Sequence, residues 1–397
     1  MSGSMLNVVG PKPPAAAVTA STTSFSNVSW NWEQYYNYQL AYAGLDSSSR
    51  PVFAYGYREV TTDDAMFCLF RVNSDLTITQ GSTNTILTGT VSSGVAATVD
   101  TDNNYGYVIY HKSTGGAYSK TFTIDKDALS IGTAGTELTV YATSDAGIVS
   151  IDYAGSGRVH YFHRRGGQVS GNFYSTRSGT TLTLGTEIVG NIGASTVYSQ
   201  LRTFTASGTL YRHAIISGNG APQLNAMYWN NTTGSTVSTA TAFSWGAASI
   251  LHHEFVRLKA ADKFMIVTNV TAGMRAAAGT ITWPSSGTTA PTIAVGAILS
   301  LTDATSSNMY GAIDGFANDE AYIVYKKSSD SKFYYRKITA STNTLTEGAA
   351  TEISILSASA ANQLICKGVT AFSKNYIVGI ADNTGSASPD IFVTEVA

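Results

Sequence analysis

A short run of aromatic and β-branched residues recurs seven times along this chain, and this repeat constrains the fold more than any other feature. The aligned members of the seven runs are Phe53, Tyr107, Val159, Tyr211, Phe264, Tyr322 and Tyr376. Successive copies are therefore 52 to 58 residues apart. Periods in this range are typical of propeller blades and solenoids. The chain is predicted to form one repeated architecture rather than two or three ordinary domains.

Each repeat is predicted to contain four β-strands. In the second copy, an apolar strand of small residues at Val95–Val99 precedes the aromatic strand at Tyr107–Tyr110. A Gly-containing turn leads to an alternating strand at Tyr118–Ile124, and the last strand covers Leu129–Leu138. The small side chains of the first strand suit the crowded axis of a ring of blades.

The seventh copy ends one strand early, because its third strand, Ile391–Val396, is followed only by Ala397. The Thr-rich segment Val18–Phe25 is predicted to supply the missing strand, which would leave no large open sheet edge. We therefore predict an all-β, seven-bladed β-propeller over residues 18–397, closed by that N-terminal strand and preceded by an extended arm at residues 1–17. Six or eight blades, a β-sandwich array and a β-solenoid are alternatives. For the segment Trp30–Leu45, a turn of helix is an alternative to a strand, because its aromatic residues nearly keep helical spacing.

Composition restricts the partners that this chain would attract. Charged residues make up 13%, against about 25% in typical soluble domains. The formal net charge of −2 gives no field that favours nucleic acid or an anionic membrane. Residues 1–17 lack the features of a secretory signal, and no apolar run approaches the length of a membrane span. Synthesis in the cytoplasm without membrane insertion is expected, and Cys68 and Cys366 are expected to be buried thiols.

Sorting the charges by loop predicts two different faces of the disc. The opposite, acidic face carries Asp152 among other carboxylates, and the face formed by the loops after the aromatic strands carries a basic cluster. Its candidate partner-binding residues are Arg164, Arg165, His252 and His253. The other members of the cluster are Arg58, His111, Lys112, His163, Lys326 and Lys327. This basic face is predicted to dock on an acidic protein or glycan surface. Solvated loop charges without a partner are the alternative.

An aromatic segment enters the first blade, and Trp30, Trp32, Tyr35 and Tyr36 are its candidate binding residues. Flat rings interleaved with amides can cover sugar faces or fill protein pockets. The alternative is that these rings pack on the first and last blades and lock the closure of the ring.

The sequence offers no motif for a catalytic centre, a metal or a cofactor. It contains no HExxH, P-loop or nucleophile elbow, and His252-His253-Glu254 lacks the second helical His of a zinc site. The segment Asp100–Asn104 begins like a calcium loop but lacks its Gly and its terminal Glu. The chain is therefore predicted not to be an enzyme and to need no cofactor. A hydrolase with acids converging on the channel mouth is the weaker alternative.

Seven repeats, a Pro-containing arm and low charge with Ser-, Thr- and Gly-rich loops together resemble the β-propeller proteins of tailed-bacteriophage virions, such as tail, nozzle or appendage parts. The resemblance implies a noncatalytic structural or attachment protein of the virion. Its partners would be other virion proteins, reached through residues 1–17 and one disc face, and host surface glycan. The main alternative is a free glycan-binding propeller lectin.

Overall fold

The computed structural model describes residues 40–396 with gaps at 60, 143–148, 165–169, 186–187, 190–198, 208–209, 218–222, 231–235, 243–249, 261, 271–272, 286–288, 302, 305–309, 328, 331, 355, 357–363 and 382–389. Within these residues the chain is all β, and every strand pair is antiparallel. The strands form seven sheets that follow one another along the sequence.

The first three sheets each have five strands. Sheet 1 contains β1 Leu40–Leu45, β2 Pro51–Arg58, β3 Ala65–Val72, β4 Ile78–Gln80 and β5 Asn84–Leu87. Sheet 2 contains β6 Val91–Asp100, β7 Tyr105–Lys112, β8 Ala117–Asp125, β9 Ser130–Ile131 and β10 Leu138–Tyr141. Sheet 3 contains β11 Val149–Gly155, β12 Arg158–Arg164, β13 Ser170–Ser178, β14 Thr181–Leu184 and β15 Ile188–Val189.

The remaining four sheets follow the same order. Sheet 4 contains β16 Ser199–Ser207, β17 Leu210–Ser217, β18 Gln223–Asn230 and β19 Thr236–Ala242. Sheet 5 contains β20 Ile250–Arg257, β21 Lys263–Val270, β22 Gly273–Thr282, β23 Thr292–Val295 and β24 Leu299–Leu301. Sheet 6 contains β25 Tyr310–Asp314, β26 Glu320–Lys326, β27 Phe333–Ser341 and β28 Thr344–Glu352, and sheet 7 contains β29 Leu364–Ala371, β30 Lys374–Ala381 and β31 Asp390–Val396.

The recurring aromatic run is the second strand of each sheet. It lies between the first and third strands, as in β2, which pairs with β1 on one side and β3 on the other. The side chains of such a strand are buried on both faces, so Tyr107 and Tyr110 of β7 are both fully buried. Aromatic and β-branched residues suit this position because they fill the space between neighbouring sheets.

The first strands of the seven sheets, here called the inner strands, form a ring. Each inner strand contacts the inner strand of the next sheet, and β29 of sheet 7 contacts β1 of sheet 1. One apolar core joins these two ends of the chain, with Phe53 and Tyr55 packed in the same cluster as Tyr376 and Val378. Side-chain packing between the first and last sheets therefore closes the ring.

The outermost strand differs from the prediction in four sheets. The predicted single strand Leu129–Leu138 is broken into β9 and β10, which both pair with β8, and sheets 1, 3 and 5 show the same interruption. At the break in sheets 1, 2 and 5, a glycine packs directly against the backbone of the next sheet. A Cβ on Gly135 would lie 1.8 Å from the carbonyl oxygen of Thr180, and Gly81 and Gly296 approach the next sheet as closely. The break is thus a docking point between neighbouring sheets, which periodicity cannot reveal.

Two further predictions concern the ends of the chain and its thiols. Sheet 7 has three strands among the described residues, and the segment Val18–Phe25 that was predicted to complete it lies outside them. Cys68 and Cys366 are both free and buried, as predicted.

Of the segment Trp30–Leu45, the described part, Leu40–Leu45, is a strand. In the portion of the chain that the structure covers, no helix is long and apolar enough to cross a membrane.

Candidate functional site

The structure covers only part of the predicted binding residues. Trp30, Trp32, Tyr35, Tyr36 and Arg165 lie outside the described residues. Arg164 ends β12 and His252 lies in β20, and the structure describes their backbone alone. His253, the remaining member, is 1% exposed. A side chain buried to this extent presents no surface to a partner, so His253 does not belong to a docking face.

The cations of the predicted basic face have acidic neighbours. Arg58 pairs with Asp63, Lys112 Nζ lies 2.5 Å from Glu137 Oε1, and Lys327 Nζ lies 3.8 Å from Asp303 Oδ2. Two histidines of this face are buried instead of exposed. His111 is 8% exposed, and His163 is 2% exposed with its ring centroid 4.4 Å from that of Tyr141. The described part of this face is therefore locally neutralised.

Charges in the turns after the inner strands are also paired. The carboxylate of Asp46 accepts a hydrogen bond from Arg50 Nε at 2.8 Å and lies 3.5 Å from Arg71 Nη1. Between sheets 2 and 3, Arg177 Nη2 lies 3.2 Å from Asp100 Oδ2, which belongs to a fully buried side chain. These acidic turns, here called the rim, connect the sheets.

Two further contacts enclose the guanidinium group of Arg177. Its Nε donates to the hydroxyl of Tyr107 at 2.7 Å, and its guanidinium carbon lies 3.5 Å from the ring centroid of Tyr105. Arg177 is held by a carboxylate, a hydroxyl and a π face at once. The rim charges therefore stabilise the fold and leave little capacity for a ligand.

A cavity of 400 Å³ lies inside the ring of inner strands. We call it the axial cavity, and all seven inner strands contribute to its wall. The lining residues are Leu40, Ala41, Tyr42, Thr98, Val99, Asp152, Tyr153, Thr203, Phe255, Val256, Arg257, Ala312, Ile313, Asp314, Lys367 and Gly368. The volume falls within the range of small-molecule binding sites.

Sheets 1 to 3 give one side of the cavity an aromatic and hydroxyl character. We call Tyr42, Thr98 and Tyr153 the aromatic arc. The ring of Tyr42 packs against Phe53 with centroids 5.6 Å apart, and the ring of Tyr153 stacks on Tyr107 at 6.1 Å. These contacts fix both rings at the cavity wall.

Burial also sets the protonation of these phenols. It raises the pKa of Tyr42 above its ordinary value and that of Tyr153 to about 12. The hydroxyl of Tyr153 accepts a hydrogen bond from the backbone N–H of Gly157 at 3.2 Å. Both phenols therefore remain protonated at neutral pH. The hydroxyl of Tyr153 hydrogen-bonds the carboxylate of Asp100, so that of Tyr42 is the one that can donate to a ligand.

Sheets 5 to 7 give the opposite side a charged character. We call Arg257, Asp314 and Lys367 the charged arc, and each comes from a different inner strand. Arg257 is anchored through one nitrogen, because Nη1 donates to the carbonyl oxygens of Thr203 at 2.9 Å and Phe204 at 3.2 Å. Asp152 precedes Tyr153 in β11, and its Oδ2 accepts a hydrogen bond from the backbone N–H of Thr203 in sheet 4. Neighbouring sheets thus hold the charged groups in place.

Several polar groups of the cavity are not used by the fold. Among the residues that the structure describes, Nε and Nη2 of Arg257, the carboxylate of Asp314 and the hydroxyl of Tyr42 make no hydrogen bond. The Oγ1 atom of Thr203 is buried and also lacks a partner. An unsatisfied group that is buried, such as the Thr203 hydroxyl, is costly. Arg257 and Asp314 are exposed, so their unbonded atoms are open to a ligand or to water.

The sequence-based prediction missed the residues of the axial cavity as a group. It assigned Asp152 to the acidic face and named no other charged cavity residue. A signal for them exists in the repeat, because the cavity residues lie opposite or next to the aligned aromatic position, as Tyr42 pairs with Phe53 and Arg257 with Phe264. Aligning the inner strands by this register would bring Tyr42, Tyr153 and Arg257 to one level of the ring.

Comparison with known proteins gives a fold and no family. No family model matches the chain, and no curated protein matches it. Among solved structures, a lectin from Burkholderia pseudomallei is similar with a TM-score of 0.56 and 11% identity, covering 91% of this chain and 96% of the lectin. The periplasmic gluconolactonase of Pseudomonas aeruginosa has a TM-score of 0.53 and 9% identity, covering 91% of this chain and 88% of that one.

A putative 6-phosphogluconolactonase from Bacteroides fragilis is similar to the same degree, with a TM-score of 0.52, 12% identity and coverage of 89% and 92%. The prediction that this chain is not an enzyme, drawn from its lack of catalytic motifs, is wrong, because structures named as lactonases share its fold. Fold similarity at this identity does not assign a function. The comparisons show that the chain has an all-β, propeller-like fold.

Proposed function

We propose that this chain is a glycan-binding protein and that the axial cavity is its binding site. The observation that carries the proposal is the pair of unbonded charged groups on Arg257 and Asp314, which lie across the axis from the rings of Tyr42 and Tyr153. Sugars present an apolar ring face and a fringe of hydroxyl groups, so they match a wall of rings opposite a wall of hydrogen-bonding groups. The similarity of the fold to that of a lectin supports the proposal.

The arrangement also supplies the right kinds of hydrogen bond. Arg257 offers donors only, Asp314 offers acceptors only, and the hydroxyls of Tyr42 and Thr203 can do both. A polyhydroxylated ligand needs all three kinds. Hydrogen bonds to charged groups are roughly twice as strong as neutral ones. A sugar bound here would satisfy groups that the fold itself leaves without partners.

A glycan array probed with the full chain tests this proposal. We expect retention of a restricted set of glycans, with retention reduced for the variant Asp314→Asn. The matched control is Lys374→Gln, because Lys374 pairs with Glu395 at the rim, 2.7 Å away, and does not line the cavity. Absence of binding to every glycan, or binding that Asp314→Asn leaves unchanged, contradicts the assignment of the cavity. Conversion of a retained glycan to a new product would identify an enzyme using the same site.

We further propose that the seven sheets are the blades of one closed propeller and that Val18–Phe25 completes sheet 7. The support is that sheet 7 has three strands among the described residues, whereas the other six have at least four. Deletion of residues 1–25 should lower the melting temperature, because β31 would lose a pairing partner. Deletion of residues 1–17 alone should leave it unchanged. Equal melting temperatures for both deletions would contradict the closure.

The assignment to a bacteriophage virion stays a prediction from the resemblance in sequence style. We propose that the protein, made in the host cytoplasm, joins a particle through residues 1–17 and that the axial cavity remains accessible to host glycan. Mass spectrometry of purified particles tests this placement. The protein should be recovered with the particles when it is intact and lost from them when residues 1–17 are deleted.

A further inference from the structure

The guanidinium of Arg257 is arranged to receive an anion. Its Nη1 is occupied by the carbonyl oxygens of Thr203 and Phe204, which fix the plane of the group at the cavity wall. The other edge, Nε and Nη2, makes no hydrogen bond to any residue that the structure describes. Two parallel N–H donors on one edge of arginine match the two oxygens of a carboxylate. Anchoring one edge in advance lowers the entropy lost when the other edge binds.

The neighbours of Arg257 limit how much negative charge the ligand can carry. Lys367, two sheets further on, adds a second cation to the charged arc, and Asp314 stands between the two cations. A polyanionic ligand would bring a negative group against Asp314, where like charges repel. A ligand with one carboxylate can instead place it at Arg257 and donate a hydroxyl hydrogen to Asp314.

The opposite wall fixes the rest of the ligand. The ring of Tyr42 offers apolar surface and a hydroxyl donor across the axis, and the ring of Tyr153 adds apolar surface. Among the described lining residues, this side includes no cation. The body of a sugar ring can lie on this surface while its carboxylate reaches the charged arc. The cavity thus carries two cations and the carboxylate of Asp314 on one side, and two tyrosine rings with the carboxylate of Asp152 on the other.

We propose that the axial cavity selects a monocarboxylated sugar, of the uronic acid kind, over the corresponding neutral sugar. The carboxylate binds the Nε–Nη2 edge of Arg257, with Lys367 contributing longer-range attraction. This inference rests on the proposed glycan-binding function and adds the chemical class of the ligand.

Matched pairs of glycosides test the selectivity directly. Isothermal titration of the full chain would compare methyl galacturonoside with methyl galactoside and methyl glucuronoside with methyl glucoside, which differ only in a carboxylate against a hydroxymethyl group. For at least one pair we expect the acidic member to bind about tenfold more tightly, a factor that corresponds to about 1.4 kcal/mol. The preference should decrease as salt is added, because ions screen the interaction.

Variants separate the role of Arg257 from general charge. Arg257→Gln should bring the two members of the pair to nearly equal affinity, and Arg257→Lys should lose most of the preference because lysine lacks the two-donor edge. If either variant fails to fold, Lys367→Gln provides a second test. It should reduce the preference for the acidic glycoside. Lys374→Gln, which removes a cation of the rim, should leave the preference intact.

Equal affinity within both pairs overturns this inference and leaves the glycan-binding proposal standing. Tighter binding of the neutral members overturns it in the same way. If none of the four glycosides binds at millimolar concentration, the uronic acid assignment is also wrong. The glycan array then decides separately whether the cavity binds any sugar.

Discussion

The rim and the axial cavity contain the same kinds of residue in opposite states. At the rim, Arg177 is surrounded by Asp100, Tyr107 and Tyr105, so its donors and its π-facing surface are all occupied. In the cavity, Arg257 is tied to the backbone by one nitrogen and keeps its other edge unbonded among the described residues. The difference shows that the hydrogen bonds of a charged residue, and not its charge alone, decide whether it stabilises the fold or can bind a ligand.

The largest effect is expected from breaking the buried rim pair. Arg177→Ala leaves the fully buried carboxylate of Asp100 without its cation. Removing one partner of a buried ion pair costs about 3–5 kcal/mol, and denaturant unfolding measures this loss. Glycan binding per folded molecule should be unchanged. A loss of affinity larger than the loss of stability would show that the rim belongs to the site.

The contact between sheets should be the next most sensitive point. A Cβ at Gly135 would meet the carbonyl oxygen of Thr180, a backbone atom that cannot rotate away. Gly135→Ala should therefore destabilise the fold by about 1–3 kcal/mol, the usual cost of overpacking, measured by thermal or denaturant unfolding. Gly179→Ala is a matched control for steric contact, since a Cβ there has no neighbour within 4 Å, although its positive φ of 59° adds a separate strain.

The cavity should respond in binding and not in stability. Asp314→Asn removes an exposed charge that has no hydrogen bond to the residues the structure describes, so unfolding should change by less than about 0.5 kcal/mol. Affinity for a retained glycan should fall by about tenfold, because one charged acceptor becomes neutral. A marked loss of stability without loss of affinity would place Asp314 with the rim.

The smallest effect is expected at the exposed edge of the rim. Lys374 and Glu395 form a surface ion pair of 2.7 Å with more than half of the lysine side chain exposed. Such pairs contribute about 0–1 kcal/mol. Lys374→Gln should therefore leave both unfolding and glycan binding close to those of the parent protein, and a large change in either would show that the rim pairs act as one network.

The sequence was a good guide wherever a pattern repeats. The inner strand at Leu40–Leu45 and the aromatic strand in each of the seven sheets were found from period and alternation, because burial on both faces requires apolar residues at each copy. The interruption of the outer strands escaped this reasoning. It depends on Gly135 meeting Thr180 of the next sheet, a contact between residues of different repeats.

The candidate site shows the same division more sharply. Loop position suggested that His253 would face a partner, yet the strand register buries it. Nothing in the sequence distinguishes Arg257 and Asp314 as binding residues, because a single charged residue at a strand end is common. They become a candidate site only when the ring closes and brings seven inner strands around one axis.

The amino-acid sequence by itself determined the all-β repeat, the placement of its aromatic strands and the burial of both thiols, since these depend on local pattern and hydrophobicity. The tertiary structure alone decided which charges are neutralised and which remain unbonded. Ion pairing depends on distances between residues such as Asp100 and Arg177, which are 77 positions apart in the chain. Only the closure of the ring sets those distances, and with them the polar groups left for a ligand.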